Sequence, residues 1–162
     1  MSPHIVIRKY RPEDVQALAY IYFNTIHLIN SQHYTKEQVD VWAPSSSLEP
    51  AGWEKKFSRT KPFVALIGEE IVGFAEFEPN GHIDCFYCHH KWIGRGVGTA
   101  LMRRIHEEAQ RQHISRIFAE VSITAKPFFE KQGFTTICEQ TVTKNQVALI
   151  NYKMEKILAN PA

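Results

Sequence analysis

Three glycines, Gly94, Gly96 and Gly98, occupy alternate positions in the segment WIGRGVG. The apolar residues after them recur at helical spacing, which places the glycines where a strand turns into a helix. Without Cβ atoms, several backbone N–H groups can converge there on one anion, and the positive end of the helix dipole adds attraction. Lys91 and Arg95 bring mobile positive charge to the same turn. The segment is typical of a pyrophosphate-binding turn, although such glycines also occur for structural reasons alone.

A second motif, CFYCH at residues 85–89, fits the pattern for covalent haem attachment and contains metal-ligand residue types. Residues three apart on a regular strand point to opposite faces of a sheet, so Cys85 and Cys88 would not share one metal. Only a β-bulge would bring them together. We expect neither haem nor metal here. Three cysteines without a readable secretion signal favour reduced thiols.

The composition limits what the chain can bind. Its 162 residues are 44% hydrophobic and 22% charged, which predicts one globular domain over residues 1–162. A net charge of +2 gives no broad field for nucleic acid or an anionic membrane, so we expect neither as a partner. The N-terminal segment MSPHIVIRKY has no signal-peptide pattern and no apolar span of about 20 residues, which predicts a cytoplasmic protein.

The first third of the chain predicts a strand followed by two helices. The strand covers His4–Arg8, and Pro12 opens a helix with apolar residues at helical spacing. Thr35 and Gln38 form a capping box that starts the second helix. The segment between Trp42 and Lys61, which contains APSSSLEPAG, has the composition of a loop.

The rest of the chain predicts a β-meander, a long amphipathic helix, a strand, a short helix and two final strands. The segments are Phe63–Ile67, Ile71–Glu78, His82–Cys88, a helix after Gly98, Ile114–Val121, Thr124–Lys131, Phe134–Val142 and Ala148–Met154. The order β α α β β β α β α β β indicates an α/β fold of the α+β type, a mixed sheet with helices on both faces. We expect the strands at 82–88 and 114–121 to be parallel and to splay apart, because a helical crossover joins them.

A dinucleotide-binding fold is an alternative interpretation of the glycines. Gly94 and Gly96 begin a G-x-G, and Glu120 lies where a ribose-binding acid would stand. The third glycine position is Thr99, however, and the strand that enters the turn belongs to an antiparallel hairpin. That fold requires parallel βαβ units, so the sequence disfavours it.

Two motifs in this element order resemble the GNAT superfamily of N-acetyltransferases. The cofactor motif of that family is Gln or Arg, two residues, Gly, one residue, then Gly or Ala, and IGRGVG supplies Gly96 and Gly98. Family members then carry an Asn, a small residue three positions on, an aromatic pair and Gly-Phe, which SITAKPFFEKQGF resembles. With a last strand that contains Asn151, Tyr152 and Met154, the resemblance covers nearly the whole chain.

The resemblance implies an enzyme that transfers the acetyl group of acetyl-CoA to a primary amine of a small molecule or peptide. The amine would attack the thioester directly, and homodimers are common in the family. The residues implied for cofactor binding are Phe86, Cys88, Gly94, Arg95, Gly96, Val97, Gly98, Thr99, Ser122 and Phe129. Those implied for the acceptor pocket are Tyr34 and Trp42.

Three positions depart from the family pattern. Ile93 replaces the usual Gln or Arg, and Ser122 replaces the Asn that contacts pantetheine. Backbone amides dominate pyrophosphate binding, and a serine keeps a donor and an acceptor, so both changes are compatible with binding. Phe129 stands where many members have a tyrosine that protonates the leaving thiolate, and it has no proton to give. A catalytically silent acyl-CoA-binding module is therefore the alternative function.

A carboxylate that removes the amine proton, through water, is the expected base, because an amine with a pKa of about 10 is protonated at neutral pH. Counting back from the turn at residues 80–81 pairs Phe77 with Asp84, so Glu76 and Asp84 would point to opposite faces. Asp84 would share its face with His82, Phe86 and Cys88. We predict Asp84 as the base with His82 as its helper, and Glu76 or bulk water as the alternative. A backbone N–H near Cys88 would meet the oxyanion, and solvent, Tyr87 or Tyr152 would protonate the thiolate.

Overall fold

The computed structural model describes residues 3–158 as one twisted sheet with helices on both faces. The strands are β1 Val6–Lys9, β2 Phe63–Ile67, β3 Glu70–Phe77, β4 His82–Cys88, β5 Arg116–Ser122, β6 Thr135–Lys144 and β7 Val147–Ile157. The helices are α1 Val15–Leu28, α2 Lys36–Trp42, α3 Pro50–Thr60, α4 Val97–Arg111 and α5 Lys126–Lys131. The α/β mixed-sheet fold is thus confirmed. The observed boundaries of the strands and the starts of the first two helices lie within three residues of the predicted ones.

The strand order is β1-β2-β3-β4-β5-β7-β6. All neighbouring strands are antiparallel except β4 and β5, which are parallel. Pairing between β4 and β5 consists of His82 opposite Phe118 and Ile83 opposite Ala119. Both strands continue beyond those pairs, β4 to Cys88 and β5 to Ser122, so they separate toward their C-terminal ends. The predicted parallel, splayed pair is confirmed.

The two faces of the sheet bury different helices. On one face, α4 buries Leu101 and Ile105 against the sheet, in a core that also contains Phe129 of α5. On the other face, α1 and α3 pack over β2, β3 and β4 through Leu18 and Phe57. A third cluster joins α1 and α2 to β7. The β4–β5 gap therefore opens between two separately packed helical layers.

Helix α3 lies in the segment that the sequence analysis interpreted as a loop, and that interpretation is wrong for residues 50–60. Pro50 occupies the first turn, where its missing N–H costs nothing. Trp53, Lys56, Phe57 and Thr60 follow at i, i+3, i+4 and i+7. This spacing buries Phe57 completely and places its neighbours on the sheet side. The polar residues before Pro50 favoured the interpretation as a loop, although the residues after Pro50 have helical spacing in the sequence.

The register between β3 and β4 also differs from the prediction. Ala75 lies opposite Phe86 and Phe77 lies opposite Ile83, so two residues of β4, Asp84 and Cys85, oppose one residue of β3. This is a β-bulge, in which the extra residue shifts the side-chain alternation by one. The predicted pairing of Phe77 with Asp84 is therefore wrong.

The bulge changes which residues share a face of the sheet. Lys56 of α3 contacts Glu76 and Asp84, so the two carboxylates lie on the same face and not on opposite ones. Phe86 and Cys88 pack against the α4 core on the other face, away from Asp84. Cys85 packs under α1 and α3, so Cys85 and Cys88 do lie on opposite faces, as predicted.

Two further interpretations are decided by the fold. The strand that enters the glycine segment, β4, is antiparallel to β3, and β5 is antiparallel to β7, so β4–α4–β5 is a single crossover and not part of the run of parallel βαβ units that a dinucleotide-binding fold requires. Thr35 Oγ1 accepts the Gln38 N–H at 3.1 Å and Gln38 Oε1 accepts the Thr35 N–H at 2.8 Å, which confirms the capping box. Across residues 3–158, every helix is too short or too polar to span a bilayer.

Candidate active site

Two cavities lie on opposite sides of the β4–β5 gap and share wall residues there. One has a volume of about 360 Å³ and borders the glycine segment. The other has about 290 Å³ and lies among α1, α2, α3 and the β6–β7 hairpin. A small cavity of about 60 Å³ fills the gap itself, and its walls include Tyr87 and Ser122, which also line both larger cavities. The arrangement allows two molecules to approach one point from opposite sides.

The glycine segment forms the mouth of the larger of these two cavities. Gly96 is the N-cap of α4, with φ of 90°, and Gly94 has φ of 77°, conformations that disfavour residues with a Cβ. Within residues 3–158, no atom lies within 4 Å of a Cβ built at Gly94, and only Ile5 Cδ1, at 3.8 Å, approaches one built at Gly96. The space above the helix N-terminus is therefore open. It fits a pyrophosphate that accepts hydrogen bonds from the first-turn N–H groups.

Gly98 is required for a different reason. A Cβ there would meet the Phe128 ring at 3.0 Å and Cys88 Sγ at 3.6 Å, so this glycine permits α4 to pack closely against α5 and β4. Burial raises the pKa of Cys88 to about 12, which keeps its thiol neutral. Cys88 is thus an apolar part of the cavity wall.

Other residues predicted to bind the cofactor divide into two groups. Arg95 and Thr99 line an open groove beside Gly96, together with Arg103 of the next helical turn. Ile93, at the position where the family has Gln or Arg, is 47% exposed and lines the 360 Å³ cavity. Val97, by contrast, is buried in the α4 core, so it can offer only its main chain.

The main chain of β4 presents its polar groups to the gap. The His89 N–H donates to the Val72 carbonyl at 2.8 Å, and Gly73 lies opposite Cys88. In an antiparallel pair of strands, a hydrogen bond between the residues that flank two opposite residues means that those two residues do not bond to each other. Gly73 and Cys88 are such a pair, so the N–H and C=O of Cys88 point away from β3. These two groups point toward the side of β5, and at this position β5 is no longer paired with β4.

The same alternation applies two residues earlier, where Phe86 lies opposite Ala75. Phe86 and Cys88 therefore both direct main-chain groups into the gap, which suits the amides of a pantetheine chain. Thr25 of α1 donates its hydroxyl to the Cys88 carbonyl at 2.8 Å. This bond fixes the end of β4 and leaves the Cys88 N–H facing the gap.

Ser122 and Phe129 close the inner end of this cavity. Ser122 Oγ accepts hydrogen bonds from the Ala125 N–H at 3.0 Å and from Asn30 Nδ2 at 3.3 Å, which ties the end of β5 to the start of α5 and to the turn that follows α1. Phe129 is 3% exposed and packs edge-on against Phe86. These contacts make Ser122 a structural anchor as well as a wall residue. Phe129 has no titratable group, so it contributes only packing to the wall.

The second cavity is lined by aromatic and charged side chains. Its walls include Tyr22, Tyr34, Trp42, Trp53, Lys56, Asp84, Tyr87, Glu120, Lys144 and Asn151. The aromatic residues come from α1, α2, α3 and β4, and the carboxylates come from β4 and β5. Both predicted acceptor residues, Tyr34 and Trp42, lie in this wall.

The Tyr34 hydroxyl is already committed to the protein. It donates to the Ile150 carbonyl at 2.6 Å and accepts the Ile123 N–H at 2.9 Å, so it bridges β7 and the end of β5. Its ring meets Trp42 edge-on with centroids 5.2 Å apart. Tyr34 therefore shapes the cavity, and it can contact an acceptor only through its ring.

Asp84 and His82, the predicted catalytic pair, have separate partners. Asp84 Oδ2 lies 3.0 Å from Lys56 Nζ. His82 lies between Glu78 and Glu120, with Nδ1 2.6 Å from Glu78 Oε1 and Nε2 3.0 Å from Glu120 Oε2. Burial on its own would lower the pKa of His82, but its two carboxylate partners outweigh that effect and raise it. His82 therefore tends to be protonated, which suits it to hold Glu120 and not to assist Asp84.

Tyr87 is the hydroxyl-bearing side chain at the centre of the site. It lines both large cavities and the gap, and its ring packs edge-on against Tyr22 with centroids 5.1 Å apart. Burial raises the pKa of Tyr87 well above its usual range, so the hydroxyl keeps its proton at neutral pH. Tyr152, the other candidate acid, is absent from the walls of these three cavities and packs instead on the α4 side.

This geometry can be compared with known proteins. The acetyltransferase (GNAT) domain family matches residues 30–156, which include both cavities except for part of α1. The chain belongs to this family.

Relatives agree with that assignment. The chain is 32% identical over 151 residues to the uncharacterized N-acetyltransferase YafP of Escherichia coli (strain K12), covering 93% of this chain and 95% of that protein. A GCN5-related N-acetyltransferase structure from Rhodopseudomonas palustris superposes with a TM-score of 0.91 at 29% identity, covering 98% of each chain. The PaiA N-acetyltransferase of Thermoplasma acidophilum, solved with coenzyme A, has a TM-score of 0.77 at 17% identity over 95% and 99% of the two chains, and shows the shared fold.

As a GNAT acetyltransferase, the chain is an enzyme that uses acetyl-CoA as its acetyl donor. This replaces the alternative of a catalytically silent binding module. The open cradle at Gly94 and Gly96 and the main-chain groups of β4 fit that donor on the 360 Å³ side.

Sequence reasoning missed several residues of the site. Lys56 and Trp53 were overlooked because α3 was interpreted as a loop, although their helical spacing was visible. Glu120 was considered only as a ribose-binding acid. Thr25 and Asn30 carry no motif, and only the approach of α1 to the ends of β4 and β5 reveals them.

Proposed function

We propose that this enzyme acetylates a primary amine of a small-molecule or peptide acceptor, and that the amine attacks the thioester of acetyl-CoA directly. The observation that carries the proposal is the β4–β5 gap, which joins a glycine-bordered cavity to a separate cavity lined by aromatic rings and carboxylates. Acetyl-CoA would occupy the first cavity and the acceptor the second. Because the two cavities meet at shared wall residues in the gap, the amine would reach the thioester without an acetylated enzyme intermediate.

The acceptor cavity favours a small amine. Its volume of about 290 Å³ suits a small molecule or a single side chain. Asp84 and Glu120, with 39% and 43% of their side chains exposed, offer negative charge to an incoming ammonium group. Aromatic rings such as Trp53 provide apolar contact and a cation–π surface.

Asp84 is the proposed base. Its carboxylate borders both the acceptor cavity and the gap, so it can take the ammonium proton, directly or through one water. The neutral amine then forms a bond to the thioester carbonyl carbon, the C–S bond to coenzyme A breaks, and the nitrogen loses one further proton, which balances the proton that the thiolate takes up. Glu120 borders the same two cavities, and it is the second candidate for the base if Asp84 proves dispensable.

Two groups of β4 would serve the other charges of the reaction. The Cys88 N–H, which faces the gap, would donate to the carbonyl oxygen as it becomes negative. Tyr87, which lies where the cavities meet and keeps its proton, would protonate the departing thiolate in place of the tyrosine that Phe129 replaces.

A coupled thiol-release assay tests the proposal. Purified enzyme is incubated with acetyl-CoA and a panel of small primary amines, with lysine-containing and N-terminal peptides in parallel. We expect thiol release that depends on an amine, with an N-acetylated product identified by mass spectrometry. Acetyl transfer confined to peptides would refute the preference for a small acceptor. Formation of an acetylated enzyme in the absence of amine would refute direct attack.

A further inference from the structure

Lys56 is the meeting point of a buried charge cluster beneath the acceptor cavity. Its Nζ lies 3.0 Å from Glu76 Oε1, 3.0 Å from Asp84 Oδ2 and 3.7 Å from Cys85 Sγ. The lysine side chain is 28% exposed, whereas Glu76 is fully buried. The ammonium group thus occupies the position between the three side chains that a bound cation would take.

The fold creates this cluster through two local features. The bulge of β4 turns Asp84 toward α3, onto the same face as Glu76. Helix α3 then delivers both Lys56 and, one turn later, Thr60, whose hydroxyl donates to Glu76 Oε2 at 2.5 Å. A fully buried carboxylate needs such partners, since an unpaired charge in the interior is strongly unfavourable.

The position of the Lys56 ammonium is well defined. It lies 5.5 Å from the centroid of the Trp53 ring, and the next residue, Phe57, anchors the helix in the core. Burial on its own would lower the pKa of Lys56, but the surrounding acidic groups, including Glu76 and Asp84, outweigh burial and raise it. Lys56 therefore stays positively charged under the alkaline conditions that favour a free amine.

We propose that Lys56 is a positioning residue that holds the Asp84 carboxylate at the edge of the acceptor cavity and keeps it ionised beside the buried charge of Glu76. This inference rests on the function proposed above for Asp84. Without the ammonium group, two carboxylates would face each other across a few ångströms, since the acidic atoms of Glu76, Asp84 and Cys85 all lie within 4.8 Å of one another. One of the carboxylates would then retain a proton at higher pH.

The titratable and charged groups around Asp84 come from six elements. They are Tyr22 of α1, Lys56 of α3, Glu76 of β3, Cys85 and Tyr87 of β4, Glu120 of β5 and Lys144 of β6. Lys56 is the positive charge that lies within salt-bridge distance of Asp84, while Glu76 and Glu120 are like charges. Neutral Cys85 and Tyr87 contribute no counter-charge, because burial raises the pKa of each well above its usual range. Lys56 is therefore the counter-charge in direct contact with Asp84.

The test compares the pH profiles of kcat/KM for wild type, Lys56→Met and Lys56→Arg. We expect the acidic limb of Lys56→Met to move up by about one pH unit or more, the scale on which a close opposite charge acts. The KM for acetyl-CoA should stay unchanged, and Lys56→Arg should restore much of the wild-type profile. Lys55→Met is the matched control, because Lys55 is the exposed neighbour on the same helix and should leave the profile unchanged. An acidic limb that stays in place in Lys56→Met would overturn the proposal.

A second variant keeps the test open if Lys56→Met does not fold. Glu76→Gln removes the like charge and leaves Lys56 paired with Asp84, so the acidic limb should move to lower pH, and an unmoved limb would count against the proposal. Asp84→Asn separates the two hypotheses. If that variant retains the acidic limb, the proposed base is wrong. If it loses the limb while Lys56→Met and Glu76→Gln leave it in place, only the positioning by Lys56 is wrong.

Discussion

The carboxylates of Glu76 and Asp84 lie on the same face of the sheet, each 3.0 Å from the ammonium group of Lys56. One of them is fully buried and the other is 39% exposed at the edge of the acceptor cavity. The same ammonium group therefore connects a structural carboxylate to one that substrate can reach. This relationship makes the two carboxylates chemically different, although they stand on neighbouring strands.

Replacement of Asp84 by Asn should lower kcat/KM by about 100-fold and abolish the acidic limb of its pH profile, because the amide cannot accept the ammonium proton. The measurement is thiol release as a function of pH. Glu69→Gln, which changes an exposed carboxylate in the turn between β2 and β3, is the control and should behave like wild type. An Asp84→Asn variant with wild-type rate and limb would transfer the function to Glu120 or to bulk water.

Replacement of Gly96 by Ala should weaken acetyl-CoA binding by about tenfold or more, because a methyl group enters the space above the α4 N-terminus. The fold should survive: the nearest atom to the new Cβ is 3.8 Å away, and the positive φ costs roughly 1–2 kcal/mol. Isothermal titration calorimetry gives the affinity. Gly52→Ala, in an open position on α3, is the control and should bind normally. Equal affinity in both variants would exclude Gly96 from the cofactor site.

Replacement of Tyr87 by Phe should reduce kcat while leaving the KM for acetyl-CoA near its wild-type value, because the variant loses a proton donor for the thiolate and keeps the ring. We expect a loss of about tenfold to 100-fold. Tyr152→Phe, outside the three connected cavities, is the matched control. If Tyr152→Phe has the lower kcat of the two variants, Tyr152 and not Tyr87 is the residue that protonates the thiolate.

The ion pairs of His82 should make stability depend on pH. The pKa of His82 is raised in the folded state, so the folded chain binds the proton more tightly than the unfolded chain does. In the unfolded chain the pKa of a histidine is about 6.5. The resulting stabilisation is complete below that pH and disappears as pH rises through the folded-state value. Urea unfolding of wild type and His82→Gln should differ by up to about 1 kcal/mol near pH 6. The difference should shrink at about pH 9, and one that grows with pH would contradict the assignment.

The sequence by itself determined the order of most elements and predicted the glycine segment as the place of cofactor binding. Gly94 and Gly96 have positive φ angles that other residues avoid, so their residue type indicates the turn. The apolar residues at helical spacing from Val97 onward predict helix α4. The parallel direction of β4 and β5 followed from the helical crossover between them. The glycine turn and the helix depend on residues that are close in sequence, and the strand direction depends on the order in which elements are connected. Both kinds of information can be read directly from the sequence.

The tertiary structure decided which side chains meet at the gap. A bulge opposite Glu76 moved Asp84 away from the face of Phe86, and counting residues from the turn could not show it because a bulge changes the count by one. Lys56 reaches Asp84 from a helix 28 residues earlier in the chain, across a distance that no sequence period records. The glycine turn is built from consecutive residues, whereas the cluster of Lys56, Glu76 and Asp84 is built from separate elements, and only packing brings those elements together.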